Sequence, residues 1–439
     1  MAIAPFQVEV VGTHRGEVVH KTFQSLLWNV WPNNKKFPPL LNDLYRIAST
    51  VYFLARMFVR NKKTWNRDFQ CSIEVYDPAF WSTPSLSDQL TCILSFISGD
   101  NWKFRFTKGN DIQEVAHLEF ESSPTDVFCL YSGGLDSMAG LVKRLNDCPE
   151  KSFIPITVCH RTDIRRATSS QLDSLSRLYP NIRNGKQLFF PFRMERQFDF
   201  FEDKRESTQR TRAFLFMIAG GIAALKYGND LLEVYEAGIG TINAPLLPDM
   251  TGTMTRSTHP EFLKKTAELL SQVAGKDFNI LLPHSNITKS ELVCSLNNNP
   301  ELKKLALESF SCVCYPRRNT EKKICGKCFA CIFRRIALFN AGITENLENY
   351  EFDILSNDDW SRMKQEERRP LCVFFEQIHE LSITTKNDSL PQWIEKHIRE
   401  TNATMGRPMK SIVDLYRRYA LECSRFVEQA AKNGCKWAV

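Results

Sequence analysis

Short apolar stretches alternate with longer helical patterns from about residue 123 onward. The apolar stretches are VFCLYS, FIPITVCH, QLFFPF, LLEVYEAG and NILLP, and the helical patterns cover 135–146, 165–178, 208–226 and 289–296. This alternation predicts an α/β fold, a doubly wound parallel sheet with helices on both faces. Ligands of such a sheet bind beyond the carboxyl ends of its strands, so we expect 132–137, 159–166 and 236–243 to share one crevice.

The remainder of the chain shows two other patterns. Before the alternating region, predicted strands FQVEVV, FQCSIEV and WKFRF accompany an amphipathic helix at 40–58. After it the pattern is helical, with amphipathic segments around 360–383 and 408–432. We therefore predict an N-terminal α+β accessory domain at 1–122, the sheet domain at 123–345 and a helical C-terminal extension at 346–439.

Composition bounds the class of protein. With 439 residues and 43% hydrophobic content, the chain can bury a large core in two or three domains. The sequence MAIAPFQVEVVGTH lacks a basic region followed by an apolar one, so we expect a cytoplasmic protein whose 14 cysteines are reduced. The apolar run at 213–225 is shorter than the roughly 20 residues of a membrane span, so we expect a core helix and no membrane association.

The stretch LYSGGLDSM at 130–138 places two glycines, two hydroxyls and one carboxylate where a strand is expected to become a helix. Backbone N–H groups at the positive end of a helix bind anions, most often phosphate. A Walker A loop requires G-x-x-x-x-G-K-[ST] and a Rossmann turn requires G-x-G-x-x-G, and the stretch has neither pattern. It is a candidate phosphate site of another type, and the alternative is a capping turn without a ligand.

The sequence S-G-G-x-D-S at 132–137 closely resembles the signature of the PP-loop ATP pyrophosphatases. Those enzymes bind the pyrophosphate of ATP, cleave between the α and β phosphates and adenylate a substrate. On this resemblance the glycines let the backbone approach the phosphates, the serines donate hydroxyls and Asp136 holds Mg²⁺. The candidate ATP-binding residues are consecutive: Ser132, Gly133, Gly134, Leu135, Asp136 and Ser137.

Three cysteines follow the spacing C-x2-C-x2-C, at Cys325, Cys328 and Cys331. A fourth thiolate from Cys312 or Cys314 completes the ligands of a closed tetrahedral zinc site, which is structural because no position is left for water. The same ligands suit an iron–sulfur cluster. Buried free thiols and a disulfide are the alternatives without a metal.

Basic residues accumulate around these cysteines. They are Arg317, Arg318, Lys322, Lys323, Lys327, Arg334 and Arg335. The chain as a whole carries a net charge of +7, which is compatible with anionic ligands but too diffuse to require nucleic acid. The loop is either a solvated face or a surface that attracts an anionic substrate or nucleic acid, and the sequence leaves both interpretations open.

Together, the loop at 132–137 and the elements SFSC and CGKCFACIFRR resemble the 7-cyano-7-deazaguanine synthases, the queuosine-pathway enzymes called QueC. The resemblance covers about 125–340. It implies that Cys312 is the fourth zinc ligand and that Arg334 is the arginine of the cysteine motif. QRTRAFLFMIAGGIAA resembles the family's arginine-led helix and puts Arg210 or Arg212 near the phosphates, and ITKSELV makes Lys289 a candidate ATP contact. The implied catalytic residues are Asp136, Lys289 and Arg212.

The sequence also departs from this family. After the fourth strand the family carries G-x-N with an acidic residue that helps to recognise the deazaguanine, whereas EAGIGTINAP has Gly238, Gly240 and Asn243 without a clear acidic partner. We interpret His160 as a hydrogen-bonding residue at a strand end. Because of its additional N- and C-terminal parts, the chain resembles the extended QatC proteins of bacterial anti-phage gene clusters.

The resemblance implies an ATP-dependent ligase that adenylates a deazaguanine carboxylate and yields 7-cyano-7-deazaguanine or a conjugate of the base with a partner macromolecule. ATP, Mg²⁺ and Zn²⁺ are the implied cofactors. Protein partners from the same defence cluster, nucleic acid and a homodimer are further expectations. The alternatives are a PP-loop adenylating enzyme of tRNA modification and a non-catalytic scaffold stabilised by zinc.

Overall fold

The fold is built on two β-sheets and the helices packed against them. The computed structural model describes residues 6–14, 17–25, 39–60, 65–109, 126–159, 162–183, 188–191, 206, 208–244, 256–313, 324–398 and 407–438. Within these residues one sheet has four strands and the other has five. The N-terminal part of the chain forms the first sheet and the central part forms the second.

The four-stranded sheet has the order β2-β1-β3-β4. The elements are β1 (Phe6–His14), β2 (Glu17–Ser25), α1 (Pro39–Met57), β3 (Asp68–Val75), α2 (Pro78–Trp81), α3 (Pro84–Ser98) and β4 (Asn101–Lys108). Strand β1 is antiparallel to β2 and β3, and β3 is parallel to β4. The predicted strands and helix of this part are confirmed as β1, β3, β4 and α1. The sequence reasoning missed β2, an edge strand whose sequence EVVHKTFQS lacks a long apolar run.

The five-stranded sheet is parallel and has the order β7-β6-β5-β8-β9. Its elements are β5 (Asp126–Leu130), α4 (Leu135–Asp147), β6 (Ser152–Cys159), α5 (Thr162–Leu178), β7 (Leu188–Pro191), α6 (Arg212–Lys226), β8 (Leu231–Val234), α7 (Gly238–Ile242), α8 (Pro260–Ala274) and β9 (Asn279–Leu281). The chain runs outward from β5 to β7 and then returns to the other side of β5. This is a doubly wound sheet, as predicted, and its switch point lies at β5.

Both faces of this sheet are covered. Helices α6 and α8 pack on one face in a core that also includes α1 and α3, so the N-terminal part shares its core with the central sheet. Helices α4 and α5 pack on the opposite face. The predicted helix at 208–226 begins at Arg212, because the residues before it form a turn in which the Arg212 N–H donates to the Gln209 carbonyl at 3.1 Å.

The rest of the described chain is mainly helical, as predicted for 289–296 and for the part after 346, whereas the helices at 300–308 and 329–340 were not predicted. It contains α9 (Lys289–Cys294), α10 (Pro300–Glu308), α11 (Phe329–Asn340), α12 (Asn357–Arg362), α13 (Gln365–Lys386), α14 (Leu390–Ile398) and α15 (Met409–Lys432). Helix α15 packs against α11, α13, α14 and α7, so the C-terminal helices reach the central part. No helix in the described ranges is long and apolar enough to cross a membrane. The predicted boundaries at 122 and 345 stay predictions.

Candidate functional site

The loop between β5 and α4 has the geometry of a turn that exposes a helix N-terminus. Gly134 is the N-cap of α4 and has no side-chain cap. The hydroxyls of Ser132 and Ser137 lie 3.1 Å apart, and Ser137 also donates to the Gly134 carbonyl at 3.0 Å. Leu135 is buried in the core and anchors the helix, whereas Asp136 lies in the first turn, where the helix dipole favours a carboxylate. The loop thus combines hydroxyls and backbone N–H groups, the donors that bind phosphate.

The backbone conformation at position 133 and the side chains around it both require glycine. Its φ of +76° lies in the left-handed region, and a Cβ there would lie 2.3 Å from the Phe310 ring and 2.9 Å from the Thr168 methyl group. The Phe310 N–H donates to the Gly133 carbonyl at 3.3 Å, and the Leu135 N–H donates to Ser311 Oγ at 3.0 Å. The structure therefore brings the glycine loop and the SFSC element, two separate sequence motifs, into direct contact.

Lys289 and Asp136 form an ion pair of 2.7 Å. Lys289 is the first residue of α9, which is capped by Thr288 in a capping box with Glu291. Burial lowers the pKa of Lys289, but the carboxylates of Asp136 and Glu236 outweigh it and leave that pKa above its ordinary value. The second oxygen of Asp136, Oδ1, is buried and accepts no hydrogen bond within the described part of the chain, as expected of an oxygen available to a cation.

Glu236 is a candidate site residue that the sequence reasoning missed. It follows β8, and its Oε1 lies so close to Gly240 that a Cβ on that glycine would be 2.2 Å away. Burial raises the pKa of Glu236 to about 8; the charge of Asp136 adds to the rise and Lys289 opposes it. The sequence analysis found no clear acidic residue to accompany Gly238, Gly240 and Asn243, and the structure places the carboxylate of Glu236 against Gly240. The available signal was the last carboxylate of LLEVYEAG, which ends a strand of a sheet that binds ligands at that edge.

Arg210 and Arg212 lie against residues of the N-terminal part. The Arg212 guanidinium donates to Gln209 at 2.9 Å, and burial lowers its pKa. Arg210 stacks over Trp65 at 5.2 Å from the ring centroid, and burial, followed by the charges of Arg60 and Arg256, lowers its pKa to about 10. The contacts described for these two arginines do not include the loop at 132–137, so their predicted role near the phosphates stays a prediction.

The four predicted zinc ligands lie together. The Sγ atoms of Cys312, Cys325, Cys328 and Cys331 are all within 4.8 Å of one another, and Cys314 lies outside the described residues. Tetrahedral zinc with Zn–S bonds of about 2.3 Å separates its sulfurs by about 3.8 Å. The Cys325–Cys331 pair is at 3.8 Å and the Cys328–Cys331 pair at 3.3 Å. The group has the right donors and spacing for one ion such as zinc, whereas a four-iron cube would hold its thiolates farther apart.

Arg334 supports the cysteine cluster from inside the protein. Its side chain is buried and donates to the carbonyls of Ser309 at 3.0 Å, Ala306 at 2.9 Å and Leu307 at 3.1 Å, and it pairs with Glu345. It therefore fixes the end of α10, from which the SFSC segment leaves towards the loop.

The basic residues around the cysteines are only partly described. Lys327 pairs with Glu367, and Arg335 pairs with Asp353. Arg317, Arg318, Lys322 and Lys323 lie outside the described residues, as does His160. The described lysine and arginine are thus engaged within the protein, which agrees with a supporting role for this part of the loop.

Comparison with known proteins gives one family match. Residues 255–342 match the family model described as Queuosine biosynthesis protein QueC. The chain contains a QueC-like region. The match indicates ATP-dependent chemistry related to 7-deazaguanines, of the ligase or synthase type, on a small-molecule substrate. No curated protein matches the chain.

The QueC-like region includes Lys289 and all four clustered cysteines. The glycine loop and Glu236 precede it in the sequence. The ion pair between Asp136 and Lys289 therefore joins a residue outside the matched stretch to one inside it.

Proposed function

We propose that this protein uses ATP to adenylate the carboxylate of a 7-deazaguanine. The observation that carries the proposal is the 2.7 Å ion pair between Asp136 of the S-G-G-x-D-S loop and Lys289 of the QueC-like region, at the switch point of a doubly wound sheet. A phosphate-binding turn, a carboxylate with a free oxygen and a lysine in one place are the components that ATP activation requires.

In this proposal some residues of the site bind ATP and others neutralise charge. The N–H groups in the first turn of α4, other than that of Leu135, and the hydroxyls of Ser132 and Ser137 bind the pyrophosphate portion of ATP. Lys289 neutralises charge that develops on the leaving pyrophosphate. Asp136 Oδ1 is the oxygen that would hold Mg²⁺, which when bound neutralises phosphate charge. We extend the charge-neutralising role to Arg212 as a proposal, with Arg210 as a nucleotide contact.

The chemistry needs no protein nucleophile. A carboxylate oxygen of the base attacks the α-phosphorus, the bond to the β-phosphate oxygen breaks, and an acyl adenylate and pyrophosphate form. Ammonia then attacks the acyl carbon, AMP leaves and the nitrogen loses a proton, which gives an amide. A second adenylation, on the amide oxygen, and loss of AMP with two protons give the nitrile. The protein contributes orientation and preorganised charge to each step.

The four-cysteine group would hold zinc in a structural role. Four thiolates leave no open coordination position, so the ion would cross-link Cys312 to the 325–331 turn. Since SFSC contacts the glycine loop through Phe310 and Ser311, such a cross-link would also support the phosphate site.

The parts of the chain outside the matched stretch extend this proposal. The N-terminal sheet and the C-terminal helices lie outside the matched stretch and pack against the central part, which suits presentation of a macromolecular acceptor for the activated base. Conjugation to such an acceptor, a role in anti-phage defence as in QatC, protein partners and a homodimer are proposals on this basis.

The deciding experiment measures pyrophosphate release from ATP with 7-carboxy-7-deazaguanine and ammonia, and follows the base by mass spectrometry. We expect base-dependent release that falls at least about 100-fold in Asp136→Asn, because the loop loses its anionic ligand for the cation. Asp147→Asn, at the other end of α4, is the matched control and should retain activity. Release that is unchanged in Asp136→Asn would refute the assignment, and release that requires tRNA instead of the base would favour the tRNA-modification alternative.

A further inference from the structure

The C-terminal helix α15 contacts the segment that carries Lys289. Glu422 is buried, and its two carboxylate oxygens accept hydrogen bonds from Thr288 Oγ1 at 2.5 Å and from Ser290 Oγ at 2.8 Å. Thr288 and Ser290 are the residues on either side of Lys289. One carboxylate from a distant part of the chain therefore binds both neighbours of the lysine that pairs with Asp136.

Two arginines of the C-terminal part hold the same segment. Arg418 pairs with Glu291 at 2.7 Å and donates to the Asn286 carbonyl at 2.7 Å. Arg407 donates to the Ser285 carbonyl at 2.8 Å. Contacts from α15 and from Arg407, two residues before it, thus reach the chain between 285 and 291, and Glu422 binds the two residues that flank Lys289.

The Glu422 carboxylate is not explained by core packing. A carboxylate removed from water is costly unless hydrogen bonds compensate it, and an apolar side chain of similar size would fill the space without that cost. Burial raises the pKa of Glu422, and the two hydroxyls oppose the rise. Because the hydroxyls of Thr288 and Ser290 each donate to one Glu422 oxygen, the carboxylate fixes the orientation of both hydroxyls. The Glu422 backbone is itself held, because Asn340 donates to its carbonyl at 3.0 Å.

We infer that Glu422 is a positioning residue, which fixes the start of α9 so that the Lys289 ammonium lies on the phosphate loop. The inference rests on the adenylation proposed above for the role of Lys289. Glu422 touches neither Asp136 nor Lys289 in the described contacts and acts through Thr288 and Ser290. It gives the C-terminal helices, which lie outside the QueC-like region, a part in the chemistry of the site.

The first test is Glu422→Gln, which keeps the shape of the side chain but removes its charge and one acceptor. We expect kcat for pyrophosphate release to fall about 10- to 100-fold, because small misplacements of a charged group cost that much. Glu428→Gln, an exposed glutamate on the same helix, is the matched control and should leave kcat unchanged. Ser290→Ala removes one donor from the other side, and we expect it to lower kcat in the same direction.

The decisive comparison uses Lys289→Ala as a background. If Glu422 acts through Lys289, adding Glu422→Gln to that variant causes no further loss of kcat. If Glu422 only stabilises the fold, the two losses multiply, and the inference is overturned.

A second readout does not depend on activity. The Lys289 amine is acylated with an amine-reactive ester, and the labelled peptide is quantified by mass spectrometry. We expect several-fold faster labelling in Glu422→Gln and Ser290→Ala than in wild type and Glu428→Gln. Equal rates in all four proteins would refute the role of Glu422. Absent pyrophosphate release in the wild type, with faster labelling in these variants, would refute the proposed function and leave the positioning intact.

Discussion

At the scale of single residues, Gly133 shows how closely the loop at 132–137 is fitted to its surroundings. The aromatic ring of Phe310 occupies the space where any other side chain at this position would begin. The same ring belongs to the segment that leads to Cys312. A substitution at this glycine therefore disturbs both the loop and its contact with the cysteine region.

We predict that Gly133→Ala abolishes ATP-dependent pyrophosphate release and destabilises the fold. Left-handed backbone costs an alanine about 1 to 2 kcal/mol, and the contact with Phe310 adds to this. Gly275→Ala is the matched control, because its φ is +67° and nothing lies within 4 Å of the added methyl group. Urea unfolding should show a loss of about 1 to 2 kcal/mol for Gly275→Ala and a larger loss for Gly133→Ala. Equal losses and retained turnover would contradict the fitted loop.

Some site residues could be predicted from the sequence and others could not. Asp136 and the cysteines belong to motifs whose spacing is local, so the pattern is visible without a fold. Glu236, Ser311 and Glu422 reach the site through strand order and helix packing. Glu236 ends a predicted strand and Ser311 lies within the SFSC element, so the sequence marks their region but does not show what they contact. Glu422 has no sequence pattern that distinguishes it from other polar residues.

At the scale of elements, backbone packing and hydrogen bonds also hold the segments that carry the clustered cysteines in place. Gly326 has a φ of +80°, and a Cβ there would lie 1.8 Å from the Phe352 carbonyl oxygen. The turn is thus packed tightly on the chain that follows α11. Arg334 fixes the end of α10, from which the segment that carries Cys312 continues. Contacts within the protein therefore position both segments that carry the four thiols, the 325–331 turn and the SFSC segment.

We predict that the purified protein contains one zinc ion per chain, measured by elemental analysis. Cys328→Ser, or removal of the metal by a chelator, should lower the Tm by several degrees, because a structural ion contributes folding free energy. Cys294→Ser is the control, since that thiol is exposed and outside the cluster. Protein without metal, or with iron and visible absorption, would contradict the zinc assignment.

The alternation of strands and helices predicted the central sheet well, because buried parallel strands are short, apolar and separated by amphipathic helices. Strand β2 lies at an edge, and only its partner β1 defines it. The contact of α15 with α9 is a tertiary contact between helices that are far apart in the chain. Periodicity predicts the helix, and it does not say what the helix touches.

At the scale of the whole molecule, the N-terminal part and the central sheet share one core. Leu54 of α1 is fully buried in the same cluster as Phe214 and Ile218 of α6, and Tyr52 donates to Gln209 just before that helix. A shared core of this kind couples the stability of the two parts.

We predict that Leu54→Ala, which should cost about 2 to 5 kcal/mol, raises amide hydrogen exchange in α6 as well as in α1. Exchange is measured by mass spectrometry on peptides from both helices. Leu421→Ala, at a half-exposed position of α15, is the control and should change neither. Faster exchange confined to 39–109 would mean that the N-terminal part unfolds independently.

The hydrogen bonds that Thr288 and Ser290 donate to Glu422 can form only after helix α15 has been synthesised. The ribosome synthesises the loop at 132–137 first and Lys289 later. Helix α15 follows only after a further interval on the order of ten seconds. During that time the emerging chain carries the loop at 132–137 and Lys289 but lacks the helix that contacts both neighbours of this lysine. In the proposed adenylation, Lys289 is therefore secured only after α15 has been synthesised.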